Sequence, residues 1–523
     1  MPKYQLQISP KALEISKGLD LIQCLRQICC PHYFPQDTDF QAAGAVFFHP
    51  NTQEKLRSNI DKFKKLCPIP PLVTTDMENG PGDMIFGTTK FPMFMGCALD
   101  VNEKYLEDIG KCAALEGREV GFNSTLGPCV DIFANPDSPA VGLRSAGSTV
   151  EKVVRAASSY IKGLQSNGMA ATIKHFPGDG SCLYDQHLTT PENRSTWENW
   201  QAGPGRVYRE LIQAGTQWVM PGHISLPCYD DLDAQMGMYP PATLSKKLMV
   251  DLLRGELGFQ GLIISDAVEM GGFAGFCNIY DAMVRFWENG GDILLFPRLD
   301  KVFFSEMQKR LDSGMLREAT LRNRATRVIA FKEQQGLFNE TTSSFSLNPQ
   351  QKQKFNQLSV AVIENSVVIK RDRHKILPLS PSKFKKVAHL ILEVNQGKAS
   401  STLQKLTERL KMTYEQVIVW GDEGADVHFD KIQNGEVEAV ICSVSAPYRF
   451  GTNVTRFHGV VARNLMKGWM KLGIPVVFIS HDSVTFAEEY RHFDTVIATH
   501  GLSVESFPCL IHHIAGQKEE VLC

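Results

Sequence analysis

At 523 residues the chain is longer than one ordinary domain, and two or three domains are expected. Its 43% apolar and 21% charged residues are the proportions of a globular protein that can bury large cores. A net charge of −2 gives no electrostatic reason to expect nucleic acid or an anionic membrane surface as a partner.

The N-terminal run MPKYQLQISPKALEISKG has no continuous apolar core behind its basic start, and no apolar run is long enough to span a bilayer. The reading is a protein without secretory signal or membrane span, in the cytoplasm. Thirteen cysteines, scattered and odd in number, fit that compartment; Cys129 and Cys442 sit in apolar runs, where cysteine acts as a small hydrophobe. Cys29-Cys30 with His32 has no partner cluster at zinc-like spacing, so no metal and no cofactor is expected.

From there the chain alternates apolar runs with amphipathic stretches. Strands are expected at Ala45–Phe48, Leu72–Thr75, Thr125–Ile132, Ala170–Ile173, Trp218–Met220, Leu262–Ser265 and Asp292–Phe296. Helical patterns lie between them, at Val150–Ser166, Arg206–Ala214, Ser245–Leu257 and Ile279–Glu288. This repetition predicts an α/β fold whose residues 1–340 form a (β/α)8 TIM-type barrel, although an eighth strand is not evident from pattern. Polar residues follow the strands: Asp76, Asp131, Lys174-His175, His223 and Asp266. Residues 341–356, NETTSSFSLNPQQKQK, read as a linker. Five more apolar runs follow, Val387–Leu392, Gln416–Trp420, Ala439–Ser443, Pro475–Ile479 and Thr495–Ala498, and predict a smaller doubly wound α/β domain over 357–523. Gly421-Asp-Glu-Gly424 lacks the spacing of a dinucleotide fingerprint.

Two stretches carry chemistry. Lys174-His-Phe-Pro-Gly-Asp-Gly-Ser-Cys-Leu-Tyr-Asp185-Gln-His187 places a cation, two imidazoles and two carboxylates around two glycines, directly after an apolar run. Its Asp185-x-His187 pair suits proton transfer, because a carboxylate beside imidazole fixes the tautomer and stabilises the charged form. The second is Gly261-Leu-Ile-Ile-Ser-Asp266-Ala-Val-Glu-Met270, which delivers a carboxylate at the end of a buried strand. From spacing alone Asp266 fits a nucleophile, a base, a metal ligand or a helix N-cap.

Taken together, KHFPGxGxxxxDxH and ISDAVEM resemble glycoside hydrolase family 3, in the branch of the exo-β-N-acetylglucosaminidases. Thr75-Asp76-Met-Glu78, Gly127-Pro128-Cys-Val-Asp131, Gly142-Leu-Arg144-Ser145 and Met220-Pro-Gly-His223 support the likeness, which runs from about 40 to 340. Glu364-Asn-Ser-Val-Val-Ile-Lys370 resembles the start of the family's C-terminal domain. The resemblance implies a retaining mechanism with Asp266 as nucleophile, His187 as general acid/base and Asp185 as its partner. It implies sugar-hydroxyl binding by Asp76, Arg144, Lys174 and His175, and a small soluble glycoside as substrate. A phosphorylase or transglycosylase using the same site, or a non-catalytic sugar-binding protein, are the alternatives. Two departures stand out. After the second expected strand the family's arginine is missing from Asp76-Met-Glu-Asn-Gly-Pro-Gly82, and Asp179 lies between the two glycines where histidine is usual. A carboxylate there either raises the proton affinity of His187 or points to water.

Overall fold

In a computed structural model the described residues are 3–34, 42–99, 102–339, 345–393, 398–421, 423–446, 451, 459–483 and 485–517. Eight short strands form a ring: β1 (Cys29–Cys30), β2 (Ala45–Phe47), β3 (Leu72–Thr74), β4 (Ser124–Thr125), β5 (Ala170–Phe176), β6 (Trp218–Pro221), β7 (Leu262–Ala267) and β8 (Ile293–Leu295). Parallel pairing runs β1-β8-β7-β6-β5-β4, and β2 pairs with β3. A parallel bridge from His32 to Phe47 joins β1 to β2. The β3–β4 gap is closed by backbone bonds from Asn123 N to the Val73 carbonyl and from Leu126 N to that of Thr75. The expected barrel is therefore present. Its eighth strand is Cys29–Cys30, whose two residues are too few to show a periodicity. All seven residues of β5 and all six of β7 are buried, as in strands covered on both faces, which is why they read as unbroken apolar runs.

Capped helices pack outside. In Glu103–Val120 and Val150–Gln165 two glycines let the backbones touch: a Cβ at Gly110 would fall 2.2 Å from the Tyr160 carbonyl oxygen, and one at Gly163 2.0 Å from that of Glu107. The linker expected over 341–356 extends no further than Asn348. There Asn348 Oδ1 accepts from Gln351 N at 2.8 Å and starts a helix, Pro349–Ser366. Its Phe355 and Val362 join the barrel's core, and Ser359 Oγ donates to the Lys90 carbonyl at 2.5 Å. The polar count of the segment hid one apolar face at helical spacing.

The second sheet comprises β9 (Val368–Asp372), β10 (Lys386–Glu393), β11 (Gln416–Trp420), β12 (Ala439–Ser445), β13 (Val476–Ser480) and β14 (Thr495–Ala498). Their order is β9-β14-β13-β12-β10-β11, with β9 antiparallel at one edge and the other five parallel. An apolar core covers each face. This is the doubly wound arrangement, with β9 added. Among the described residues no helix is long and apolar enough to cross a membrane.

Candidate active site

The C-terminal ends of the barrel strands open on a cavity of about 680 Å³, within the usual range for a small-molecule site. Asp76, Arg144, Lys174, His175, His187 and Asp266 all line it. Asp185, the remaining expected site residue, is buried behind His187. Two loops almost 80 residues apart thus bring an aspartate and an imidazole to one cavity.

Asp266 leaves the mouth of β7. Its Oδ1 accepts from Ala267 N at 2.8 Å, while Oδ2 is buried without a hydrogen-bond partner. The nearest cation-forming atom to Oδ2 is His175 Nε2, at 3.9 Å. Burial opposes the charge on this carboxyl, but the imidazoles of His175, His223 and His187 together outweigh it and hold the group below the ordinary aspartate value. Asp266 thus combines a lowered proton affinity with one carboxylate oxygen that no hydrogen bond engages.

His187 Nδ1 donates to Asp185 Oδ1 at 2.6 Å, and the His187 backbone N–H donates to the same oxygen at 2.9 Å. These two bonds fix the ring's orientation and place its proton on Nδ1. His175 is held in the same way: its Nδ1 lies 2.7 Å from Asp131 Oδ2. Asp131 also accepts the backbone N–H groups of His175 and Asp179, at 3.2 and 2.7 Å. Desolvation pushes the Asp131 carboxyl up, yet the His175 imidazole and these hydrogen bonds leave it below the ordinary value.

Glu78 organises the cations, and sequence reading did not list it among the site residues. Arg144 clamps it with both ends of the guanidinium, Nε to Oε2 at 2.9 Å and Nη2 to Oε1 at 2.7 Å. Lys174 Nζ lies 2.6 Å from Glu78 Oε1 and 2.9 Å from Asp76 Oδ1. Burial disfavours the Glu78 charge, but Arg144 and Lys174 overcome it and hold the carboxyl well below its usual range. The signal available was one of balance: a lysine and an arginine aimed into a buried site require more than the one carboxylate of Asp76.

His223 does not line the cavity. It lies beneath Asp266, with Nδ1 2.9 Å from Thr243 Oγ1 and Nε2 2.9 Å from the Ala267 carbonyl, and burial lowers its pKa to about 4. It is a core histidine with both ring nitrogens hydrogen-bonded. Asp179 is fully buried beside Asp131, and its carboxyl is pushed well above the carboxylate range, first by burial and then by the Asp131 charge. It does not face water. In the loop that lacks the family's arginine, Asn79 Nδ2 donates to Asp83 Oδ2 and to the Pro92 carbonyl, both at 3.1 Å.

Cys129, Asp131 and His175 are the described residues whose donor atoms lie close enough to share a metal, but hydrogen bonds among themselves already occupy them. Cys29 and Cys30 are buried in β1. From the C-terminal domain, Asp482 reaches the cavity wall. Of the loop Arg449–Asn453, only Gly451 belongs to the described residues, and its N–H donates to Asp185 Oδ2 at 2.8 Å.

The family profile described as Glycosyl hydrolase family 3 N terminal domain matches residues 41–331. A Cellulomonas fimi protein named beta-N-acetylglucosaminidase/beta-glucosidase is 25% identical over 507 residues, 93% of this chain and 89% of that one. A Tolumonas auensis beta-hexosaminidase is 32% identical over 238 residues, 44% of this chain and 68% of that one. Among solved structures, that of the beta-glucoside phosphorylase BglX superposes with a TM-score of 0.87 at 24% identity, covering 98% of this chain and 95% of that one, which is a likeness of fold. With a barrel of the right order and a profile match over more than half its length, the chain belongs to glycoside hydrolase family 3 and is a glycoside hydrolase.

Proposed function

We propose that the chain is a retaining exo-β-N-acetylglucosaminidase. Asp266 Oδ2 attacks the anomeric carbon of a terminal β-linked N-acetylglucosamine as His187 Nε2 donates its proton to the departing oxygen. The resulting glycosyl ester on Asp266 is then cleaved by water, whose proton returns to His187. Asp185 orients the imidazole and stabilises its cationic form. Lys174, Arg144, Asp76 and His175 bind ring hydroxyls, through hydrogen bonds that strengthen as the oxocarbenium ion develops. The observation that carries the reading is that Asp266, one of whose carboxylate oxygens has no hydrogen-bond donor, lines the same cavity as the buttressed ring of His187. The names of the Cellulomonas and Tolumonas relatives support the choice of sugar and make glucose the next one to try.

The test is kcat/KM on aryl β-N-acetylglucosaminides, β-glucosides and β-xylosides, with and without phosphate. N-acetylglucosaminide turnover is expected, falling by about 10³-fold or more in Asp266→Ala. In His187→Ala the loss should be about 10²-fold or more for a phenyl leaving group and slight for dinitrophenyl, which needs no protonation. Equal losses for both leaving groups, or an active Asp266→Ala, overturn the mechanism. Acceleration by phosphate with release of a sugar 1-phosphate would assign phosphate as acceptor in place of water.

A further inference from the structure

We infer that the C-terminal domain is a working part of the proton-transfer machinery, acting through the backbone N–H of Gly451 as a positioning group. This inference rests on the reading of His187 as acid/base. Asp185 has no exposed surface, so its carboxylate depends on protein donors. Its Oδ1 is taken twice, by the ring and backbone of His187. Its Oδ2 accepts the N–H of Gly451 at 2.8 Å, across 266 positions of sequence and from the other domain. The carboxylate is therefore gripped at both ends, and a rotation that freed Oδ2 would also carry Oδ1 away from His187. Gly451 stands at φ +78°, a conformation open to glycine and tolerated by asparagine but closed to proline. Among the described residues a Cβ there would meet only Leu188 Cδ2, at 3.8 Å, which is ordinary contact. The requirement is for an N–H presented by a left-handed residue. A barrel without this domain has to hold Asp185 by other means; here the second domain completes the dyad.

Gly451→Pro removes the donor, and Gly451→Asn keeps it with the same backbone. On aryl glycosides, Gly451→Pro is expected to lose about 10- to 100-fold in kcat/KM with a phenyl leaving group and less than about 3-fold with dinitrophenyl. Gly451→Asn should recover most of that loss. In Asp185→Ala, the Gly451 amide should exchange its hydrogen at least about 10-fold faster than in the wild type, a readout that does not depend on the proline variant folding. Wild-type rates in Gly451→Pro, equal losses on both leaving groups, the same loss in Gly451→Asn, or unchanged amide exchange would each overturn the inference. His187→Ala measured alongside separates the cases. If it lacks leaving-group dependence, the acid/base reading fails; if it shows that dependence and Gly451→Pro does not, only the role of Gly451 fails.

Discussion

The carboxylate of Glu78 lies 2.6 Å from the ammonium of Lys174, with the two side chains 12% and 4% exposed. The pair shares its charge with Arg144, so neither cation at the cavity wall stands alone. Desolvating such a cluster is costly, and each member is tolerated only because the others are present.

Glu78→Gln is expected to leave Arg144 and Lys174 under-neutralised. Breaking a buried pair in this way should lower stability by about 3 kcal/mol, read by chemical denaturation. The drift of the two cations should also lower kcat/KM by about 10- to 100-fold. A variant with native stability would mean that solvent already screens the cluster.

Asp131→Asn addresses His175. An amide cannot accept from the His175 backbone, the His175 ring and the Asp179 backbone at once, as the carboxylate does. With an amide N–H facing Nδ1, the imidazole must move its proton to Nε2, the atom that faces Asp266 and Arg144. The expected outcome is a loss of about 10- to 100-fold in kcat/KM, with Asp266 still in place. Steady-state kinetics on one chromogenic substrate decides it; an unchanged rate would show that His175 is held by other contacts.

Asp482 sets a pH dependence of stability. Burial pushes its carboxyl from 3.8 up to about 6, against the pull of hydrogen bonds from Ser445 and Leu502. An acid with a folded pKa above its unfolded value binds more protons in the native state. The fold therefore loses stability as pH rises from about 4 to about 6, and the loss is complete above that. Asp482→Asn should come close to the wild type near pH 4 and exceed it by up to about 3 kcal/mol at pH 7.5. Urea denaturation at the two pH values checks this, and a gap that does not grow with pH would refute it.

Seven of the barrel's strands and five of the second sheet were legible in the chain, because all of these but the edge strand Gln416–Trp420 are wholly or mostly buried and so leave short apolar runs between turn signals. The two stretches that carry the chemistry were legible for a related reason: polar groups directly after such runs, from Lys174 to His187 and at Asp266, stand where strand ends deliver side chains. Local order alone could determine that much. Strand Cys29–Cys30 escaped because two residues have no period, and the helix Pro349–Ser366 escaped because its apolar face is diluted by glutamines and lysines. What only the tertiary structure decided are the contacts between distant segments. Glu78 serves two cations far along the chain, the proton affinity of Asp179 is raised by burial and by its place beside Asp131, and Gly451 reaches Asp185 from another domain. Charge state and donor placement depend on what lies within a few ångströms, and that neighbourhood exists only once the chain has closed its barrel and docked its second domain against it.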